Sequence, residues 1–124
     1  MRIALINENS QGAKNGMIYN SLKKVADQYG FEVDNYGMYT AEDEAQITYV
    51  QAGILAAAIL NGKAADYVIT GCGTGEGAML ACNSFPGVIC GHVEDALDAY
   101  TFARLTMGTP LPFLLPRDLA GAAI

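Results

Sequence analysis

The chain has 124 residues, of which 52% are hydrophobic and 16% are charged, and its formal net charge is −6 at pH 7. This length predicts one domain spanning residues 1–124. The acidic balance argues against nucleic acid or an anionic membrane as a partner, because both are bound largely through basic patches. Soluble domains average roughly 25% charged residues, so the low charged fraction indicates that a second subunit covers part of the surface.

The cysteine content argues for a reduced environment. The three cysteines are Cys72, Cys82 and Cys90, and no two of them form a CxxC pair. An odd number without that pair is atypical of a disulfide framework or a zinc site. The first residues lack the long apolar run of a signal peptide, and no stretch of about 18 apolar residues predicts a membrane span. We therefore expect a cytoplasmic protein.

Strand and helix patterns alternate from the start of the chain. Arg2–Asn7 predicts a buried strand, Gly12–Tyr29 an amphipathic helix and Phe31–Asp34 an alternating strand. Thr40 followed by Asp43 resembles a capping box, which predicts a second helix from there to about Leu60. This second helix is apolar almost all round, so we expect it to be buried on two sides. The second side is either a dimer interface or a packing surface under the C-terminal segment, and we favour the dimer.

The second half continues the alternation. It predicts a third strand (Asp66–Gly71), a short helix (Gly77–Asn83), a fourth strand (Gly87–Gly91), a long helix (Glu94–Met107) and a fifth strand (Pro112–Leu115). This order predicts an α/β fold with a five-stranded parallel sheet covered on both faces, whose functional loops lie at the carboxyl ends of the strands. The residues from Leu119 to Ile124 resemble the start of a helix, as expected if a C-terminal piece is missing.

A glycine-rich turn, Gly71–Gly77, joins the third strand to the short helix. Backbone amides in such a turn converge beside the positive end of the helix dipole and bind anions. Cys72 and Thr74 lie inside the turn, where a helix N-terminus favours the thiolate form of a cysteine. Glu76 is either a solvated first-turn acid or a catalytic group. His92, the only histidine, is either a loop residue or a functional one.

A dinucleotide-linked redox enzyme is a disfavoured alternative. The residues Gly73–Ala78 fit the GxGxxA fingerprint, but that fingerprint belongs after the first strand and is followed by an acid at the end of the next one. Here the turn follows the third strand, and the next strand ends at Gly91. The chain also lacks the GK[ST] sequence of a phosphate-binding P-loop.

The segment Val68–Gly77 resembles the cysteine-containing GTGxG turn of the ribose-5-phosphate isomerase B and galactose-6-phosphate isomerase family. The resemblance continues through Asn83, Pro86–Val88 and Cys90, and it covers most of the chain. It implies a Rossmann-like three-layer α/β/α fold and an aldose–ketose isomerase acting on a phosphorylated sugar. It also implies an active site shared between two subunits and no metal or organic cofactor.

The resemblance also implies roles for individual residues. Cys72 corresponds to the base that moves a proton between C1 and C2, and Thr74 to the residue that shuttles protons on the oxygens. The amides of Gly73, Gly75 and Gly77 would hold the enediolate. The remaining expected substrate-binding residues are Glu8, Asn9, Tyr49, Glu76 and Arg117, of which Arg117 corresponds to an arginine that faces the phosphate.

Three departures from the family pattern leave an alternative open. The usual Asp-His pair after the first strand is replaced by Glu8 and Asn9, and Thr106 stands where the family has its ring-opening histidine. The C-terminal arginines that help hold phosphate in the family lie past Ile124. The first two departures favour a non-catalytic module that binds a small phosphorylated metabolite, whereas the retention of Cys72 together with Thr74 favours the isomerase.

Overall fold

The computed structural model describes residues 1–107 and 122–123. In chain order its elements are β1 (Arg2–Asn7), α1 (Asn15–Gln28), β2 (Glu32–Asn35), α2 (Tyr49–Asn61), β3 (Tyr67–Gly71), α3 (Glu76–Asn83), β4 (Cys90–Gly91), α4 (Ala96–Met107) and β5 (Ala122–Ala123). A short 3₁₀ helix, Gly12–Lys14, leads into α1. The prediction for β1 is confirmed in full. No helix in the described ranges is long and apolar enough to cross a membrane.

The five strands form one sheet in the order β2-β1-β3-β5-β4. The strand β1 runs parallel to β2 on one side and to β3 on the other. Along the second pair Ile3 lies opposite Tyr67 and Asn7 opposite Gly71, so β1 and β3 end level with each other. The segments that follow the two strands therefore leave the sheet at the same edge.

The prediction of an entirely parallel five-stranded sheet is wrong. The strand β5 runs antiparallel to both β3 and β4, with Ala123 opposite Val68 and Cys90. The predicted fifth strand, Pro112–Leu115, lies outside the described residues, and β5 occupies the segment expected to begin a helix. Alanine favours helix locally, but two residues placed between β3 and β4 satisfy backbone groups of both strands, and this non-local pairing overrides the propensity.

Two apolar clusters cover the opposite faces of the sheet. On one face the side chains of β1 and β3 pack against α1 and α4, through residues such as Ile18, Leu22 and Phe102. On the other face they pack against α2 and α3, through residues such as Ala52 and Cys82. The expected three-layer α/β/α arrangement is confirmed for the described residues.

The helix α2 begins at Tyr49, so the predicted start just after Thr40 is wrong. The capping box is formed by Thr48, whose hydroxyl accepts the Gln51 N–H at 3.3 Å while the Gln51 side chain accepts the Thr48 N–H at 2.9 Å. The Asp43 carboxylate instead accepts the N–H groups of Tyr39 and Thr40. These local bonds close a loop and compete with helix formation at that point.

The helices α2 and α3 approach each other closely at Gly53. A Cβ atom on Gly53 would lie 2.9 Å from the Ala81 Cβ and 3.0 Å from the Ala81 carbonyl carbon. Real Cβ atoms do not approach other atoms so closely, so any side chain at this position would push the two helices apart.

We predict that Gly53→Ala lowers the free energy of unfolding by about 1–3 kcal/mol, because it overpacks the contact between α2 and α3. Gly16→Ala in α1 is the matched control, because a Cβ there meets no atom within 4 Å. We expect the control to leave stability unchanged or to raise it by roughly 0.5 kcal/mol. Urea unfolding of both variants measures the difference, and equal stability of the two variants would contradict the prediction.

Candidate active site

The turn between β3 and α3 is built on one glycine in a left-handed conformation. Gly75 is the N-cap of α3 and has φ 80° and ψ −24°. Residues with a side chain strongly disfavour this backbone region, whereas glycine adopts it readily. The chain can therefore reverse from the strand into the helix within a few residues. The first intrahelical bond of α3 runs from Met79 N–H to Gly75 O at 3.1 Å. The N–H groups of Glu76 and Gly77 belong to the first turn of α3, where N–H groups have no acceptor within the helix and point out of its N-terminal end.

Cys72 lies under this turn, with 7% of its surface exposed. The Gly75 N–H donates to Cys72 Sγ at 3.2 Å. The Gly75 amide therefore faces the sulfur, and Gly73 and Gly77 are the glycines whose amides could face a substrate oxygen.

The other two cysteines lie away from the turn in the apolar cluster between the sheet and the pair of helices α2 and α3. All three cysteines are free thiols. The hydrogen bond between Cys82 and Cys90, together with burial, raises the pKa of the Cys90 thiol well above its usual range. Cys90 is thus held in the neutral form, as the packing role expected for a core cysteine requires.

Tyr49 borders the turn because Gly77 lacks a side chain. A Cβ on Gly77 would lie 3.2–3.4 Å from three carbons of the Tyr49 ring. The ring therefore lies almost directly on the backbone of the first turn of α3. Tyr49 remains 46% exposed, and Thr74 and Glu76 of the turn are also exposed.

The segment after β1 approaches the turn because Asn7 pairs with Gly71. Glu8 is only 3% exposed, and its carboxylate accepts the Ser10 N–H at 2.8 Å as well as the Ser10 hydroxyl. Asn9 is exposed, and its N–H donates to Ile47 O at 2.7 Å, which ties this segment to the residues just before α2. Glu8 thus bonds within its own loop, whereas Asn9 is available at the edge of the sheet.

His92 contacts the turn from the segment after β4. Its Nε2 atom lies 3.0 Å from the Thr74 carbonyl oxygen and 3.8 Å from a carboxylate oxygen of Glu94. The sequence left His92 open between a plain loop residue and a functional one. The geometry connects it to the same turn as Cys72.

Asn7 is a polar residue of this region that the sequence interpretation did not single out. It is fully buried, and its Nδ2 donates to Asn15 Oδ1 at 2.8 Å. Within the described residues its Oδ1 atom has no hydrogen-bond partner. The sequence signal that could have pointed to Asn7 is an asparagine at the end of a strand with an apolar interior. Such a residue is buried and therefore normally needs a hydrogen-bond partner.

Of Thr106 and Arg117, only Thr106 lies among the described residues. Thr106 lies on α4 and donates its hydroxyl to Phe102 O at 2.6 Å, and Arg104 is exposed in the last turn of the same helix. Among the described residues, no group of three His, Cys, Asp or Glu side chains is placed to hold a metal ion.

Comparisons with known proteins agree with this architecture. The model of the Ribose/Galactose Isomerase family matches residues 3–107. A solved 4-deoxy-L-threo-5-hexosulose-uronate ketol-isomerase is 66% identical, with a TM-score of 0.81, and the match covers 83% of this chain and 48% of that one. The ribose-5-phosphate isomerase of Vibrio parahaemolyticus is 49% identical, with a TM-score of 0.79 and coverage of 82% and 48%.

More distant structures share the fold. Ribose-5-phosphate isomerase B of Clostridium thermocellum is 21% identical, with a TM-score of 0.69 and coverage of 96% of this chain and 75% of that one. Among proteins with curated annotation, none matches this chain. The chain spans about half the length of the two more similar structures. Since the family model spans residues 3–107 and a solved relative is 66% identical, the chain belongs to the ribose/galactose isomerase family.

Proposed function

We propose that this protein is a ketol isomerase that interconverts an aldose and a ketose by proton transfer at Cys72. One observation carries the proposal: Cys72 Sγ accepts the Gly75 N–H at 3.2 Å, beneath the N-terminus of α3. In this arrangement the sulfur lies next to backbone amides that suit a developing negative charge. Aldose–ketose isomerisation requires these two elements, a base near carbon and donors near oxygen.

The proposed reaction is a pair of proton transfers without net oxidation. The Cys72 thiolate removes the proton from C2 of the open-chain aldose, and the electron pair moves to give a cis-enediolate. The same thiol then returns the proton to C1, which yields the ketose. A positioned base contributes about 10²–10⁴ in rate.

The oxygens require donors during the same reaction. The exposed Thr74 hydroxyl is proposed to carry a proton between O1 and O2, and the amides of Gly73 and Gly77 to bind the enediolate oxygens. A single preorganised donor of this kind contributes roughly 3 kcal/mol to the transition state. Tyr49 and Asn9, exposed at the rim, are proposed to contact the sugar hydroxyls, and Glu76 to bind at the entrance of the turn.

We propose a sugar with a terminal anionic group as the substrate. The relative at 66% identity is a uronate ketol-isomerase, whose substrate class carries a carboxylate, whereas the relative at 49% identity acts on ribose 5-phosphate. The higher identity favours the carboxylate over the phosphate that the sequence led us to expect. A sugar phosphate remains the second candidate.

We predict that Cys72→Ala lowers isomerisation by about 10²–10⁴, because it removes the proposed base. Proton exchange at C2 in deuterated water, read by NMR, measures the loss across uronates, pentose phosphates and hexose phosphates. Cys82→Ala is the control, because it removes a thiol that lies away from the turn. Retention of most activity in Cys72→Ala would rule out this base.

The same panel tests the non-catalytic alternative. If no sugar undergoes exchange with the native protein while one of them raises its melting temperature, the protein is a binding module. Exchange with uronates and none with phosphates supports the preferred substrate class. The reverse pattern replaces it with the phosphorylated sugar.

We predict that Arg117→Ala raises KM for the anionic sugar more than about tenfold, because an arginine contributes charge-assisted hydrogen bonds of roughly 1.5–3 kcal/mol. The corresponding sugar without its anionic group should be little affected. Arg104→Ala is the matched control, as an exposed arginine on α4 that was not assigned to the site. An equal change on both sugars would remove Arg117 from anion binding.

We also propose that the protein forms a homodimer through α2, with a site shared between the subunits. The inner face of this helix is buried in the monomer, whereas Val50 and Ile54 are exposed, and Val50 lines the same groove as the exposed Leu80 of α3. Tyr49 lines the shallow groove between the two helices and also borders the catalytic turn. A second copy seated on this apolar face would therefore lie beside the turn.

We predict that Ile54→Asp converts the dimer to a monomer, because a carboxylate would lose its hydration at the interface. Ile54 is 51% exposed in the monomer, so the fold should persist. Met17→Asp on α1 is the matched control, since Met17 is 55% exposed on a different face. Light scattering at micromolar concentration measures the mass, and a native monomer or an unaffected Ile54→Asp dimer would contradict this interface.

A further inference from the structure

One peptide group lies between the only histidine and the proposed base. The carbonyl of Thr74 is 3.0 Å from His92 Nε2, and the N–H of Gly75, in the same peptide group, is 3.2 Å from Cys72 Sγ. A carbonyl oxygen can only accept a hydrogen bond, so His92 Nε2 must carry the proton. The two hydrogen bonds therefore run in the same sense, from the imidazole through the amide to the sulfur.

Such a chain of hydrogen bonds is cooperative. When a carbonyl oxygen accepts a bond, the peptide group becomes more polarised and its N–H becomes a better donor, by about 10–30% per bond. The bond from His92 thus strengthens the bond from Gly75 to Cys72. It also restrains the peptide plane before Gly75, because a glycine has no Cβ to limit its own backbone conformation.

The fold anchors the backbone on both sides of His92. His92 directly follows β4, and the next residue, Val93, is only 2% exposed and packs in the cluster under α1 and α4. On the other side of His92, Gly91 lies so close to Phe102 that a Cβ would be 2.3 Å from the ring. A histidine whose backbone is anchored in this way is suited to holding a backbone group of the turn in a defined orientation.

We propose that His92 is a positioning residue that orients and polarises the peptide group between Thr74 and Gly75, and thereby strengthens the hydrogen bond that Cys72 Sγ accepts. The catalytic meaning of this arrangement rests on the proposed function of Cys72, but the hydrogen-bond chain does not. Other ionisable side chains of the elements around the turn include Glu8 after β1, Tyr49 on α2, Glu76 on α3 and Glu94 beside His92.

Alkylation of Cys72 tests the proposal without any substrate. We measure the rate of iodoacetamide modification against pH, with peptide mass spectrometry to separate Cys72 from the buried Cys82 and Cys90. His92→Leu should move the midpoint of the Cys72 profile upward by about half a pH unit or more, because the thiolate loses a supported hydrogen bond. His92→Gln, whose amide can donate to the same carbonyl, should restore most of the native profile.

Kinetics give a second readout of the same variants. His92→Leu should lower kcat about fivefold to tenfold with little change in KM, since His92 does not touch the sugar in this proposal. If the Cys72→Ala variant retained proton exchange at C2, the proposed function would be wrong. The alkylation profiles of the His92 variants would still decide the role of His92. The two failures are therefore distinguishable.

A measurement on the native protein covers the case in which His92→Leu does not fold. Because the chain has one histidine, ¹⁵N NMR of the imidazole reports its protonation without ambiguity. The proposal expects a proton on Nε2 throughout the pH range in which Cys72 is alkylated. A neutral ring with its proton on Nδ1, an unshifted His92→Leu profile, or a His92→Gln profile shifted as far as that of His92→Leu would overturn it.

Discussion

The parallel pairing of β1 with β3 is the interaction on which the rest of the structure depends. Both apolar clusters are built on the side chains of these two strands, which point alternately to the two faces of the sheet. Because Asn7 and Gly71 are opposite each other, the loop with Glu8 and the turn with Cys72 leave the sheet together. A shift of one residue in this register would turn the side chains of a strand to the wrong face and separate the two segments.

Much of the fold was predictable because its signals are local. The apolar run of β1, the period of α1 and the glycines after β3 each lie within a few residues of the structure they specify. The position of Cys72 in the turn was predictable for the same reason. The start of α2 was not, because Thr40 and Thr48 both carry capping signals and the loop bonds of Asp43 decide between them.

Other features depend on residues far apart in the chain. The strand at Ala122–Ala123 forms because β3 and β4 offer it partners, and alanine alone does not encode that pairing. The contact from His92 to Thr74 spans a helix and a strand, so no local pattern announces it. The burial of Glu8 also depends on a compact loop, whose shape follows from bonds that the sequence does not display.

The packing of α2 on α3 has a consequence for the geometry of the site. Tyr49 and Gly53 are four positions apart on α2, and their partners Gly77 and Ala81 are four positions apart on α3. Each pair spans roughly 6 Å along its helix, at 1.5 Å per residue. The close contact between Gly53 and Ala81 thus limits how far α2 can slide along α3. These two residues, about one helical turn from the catalytic turn, therefore set the position of the Tyr49 ring over it.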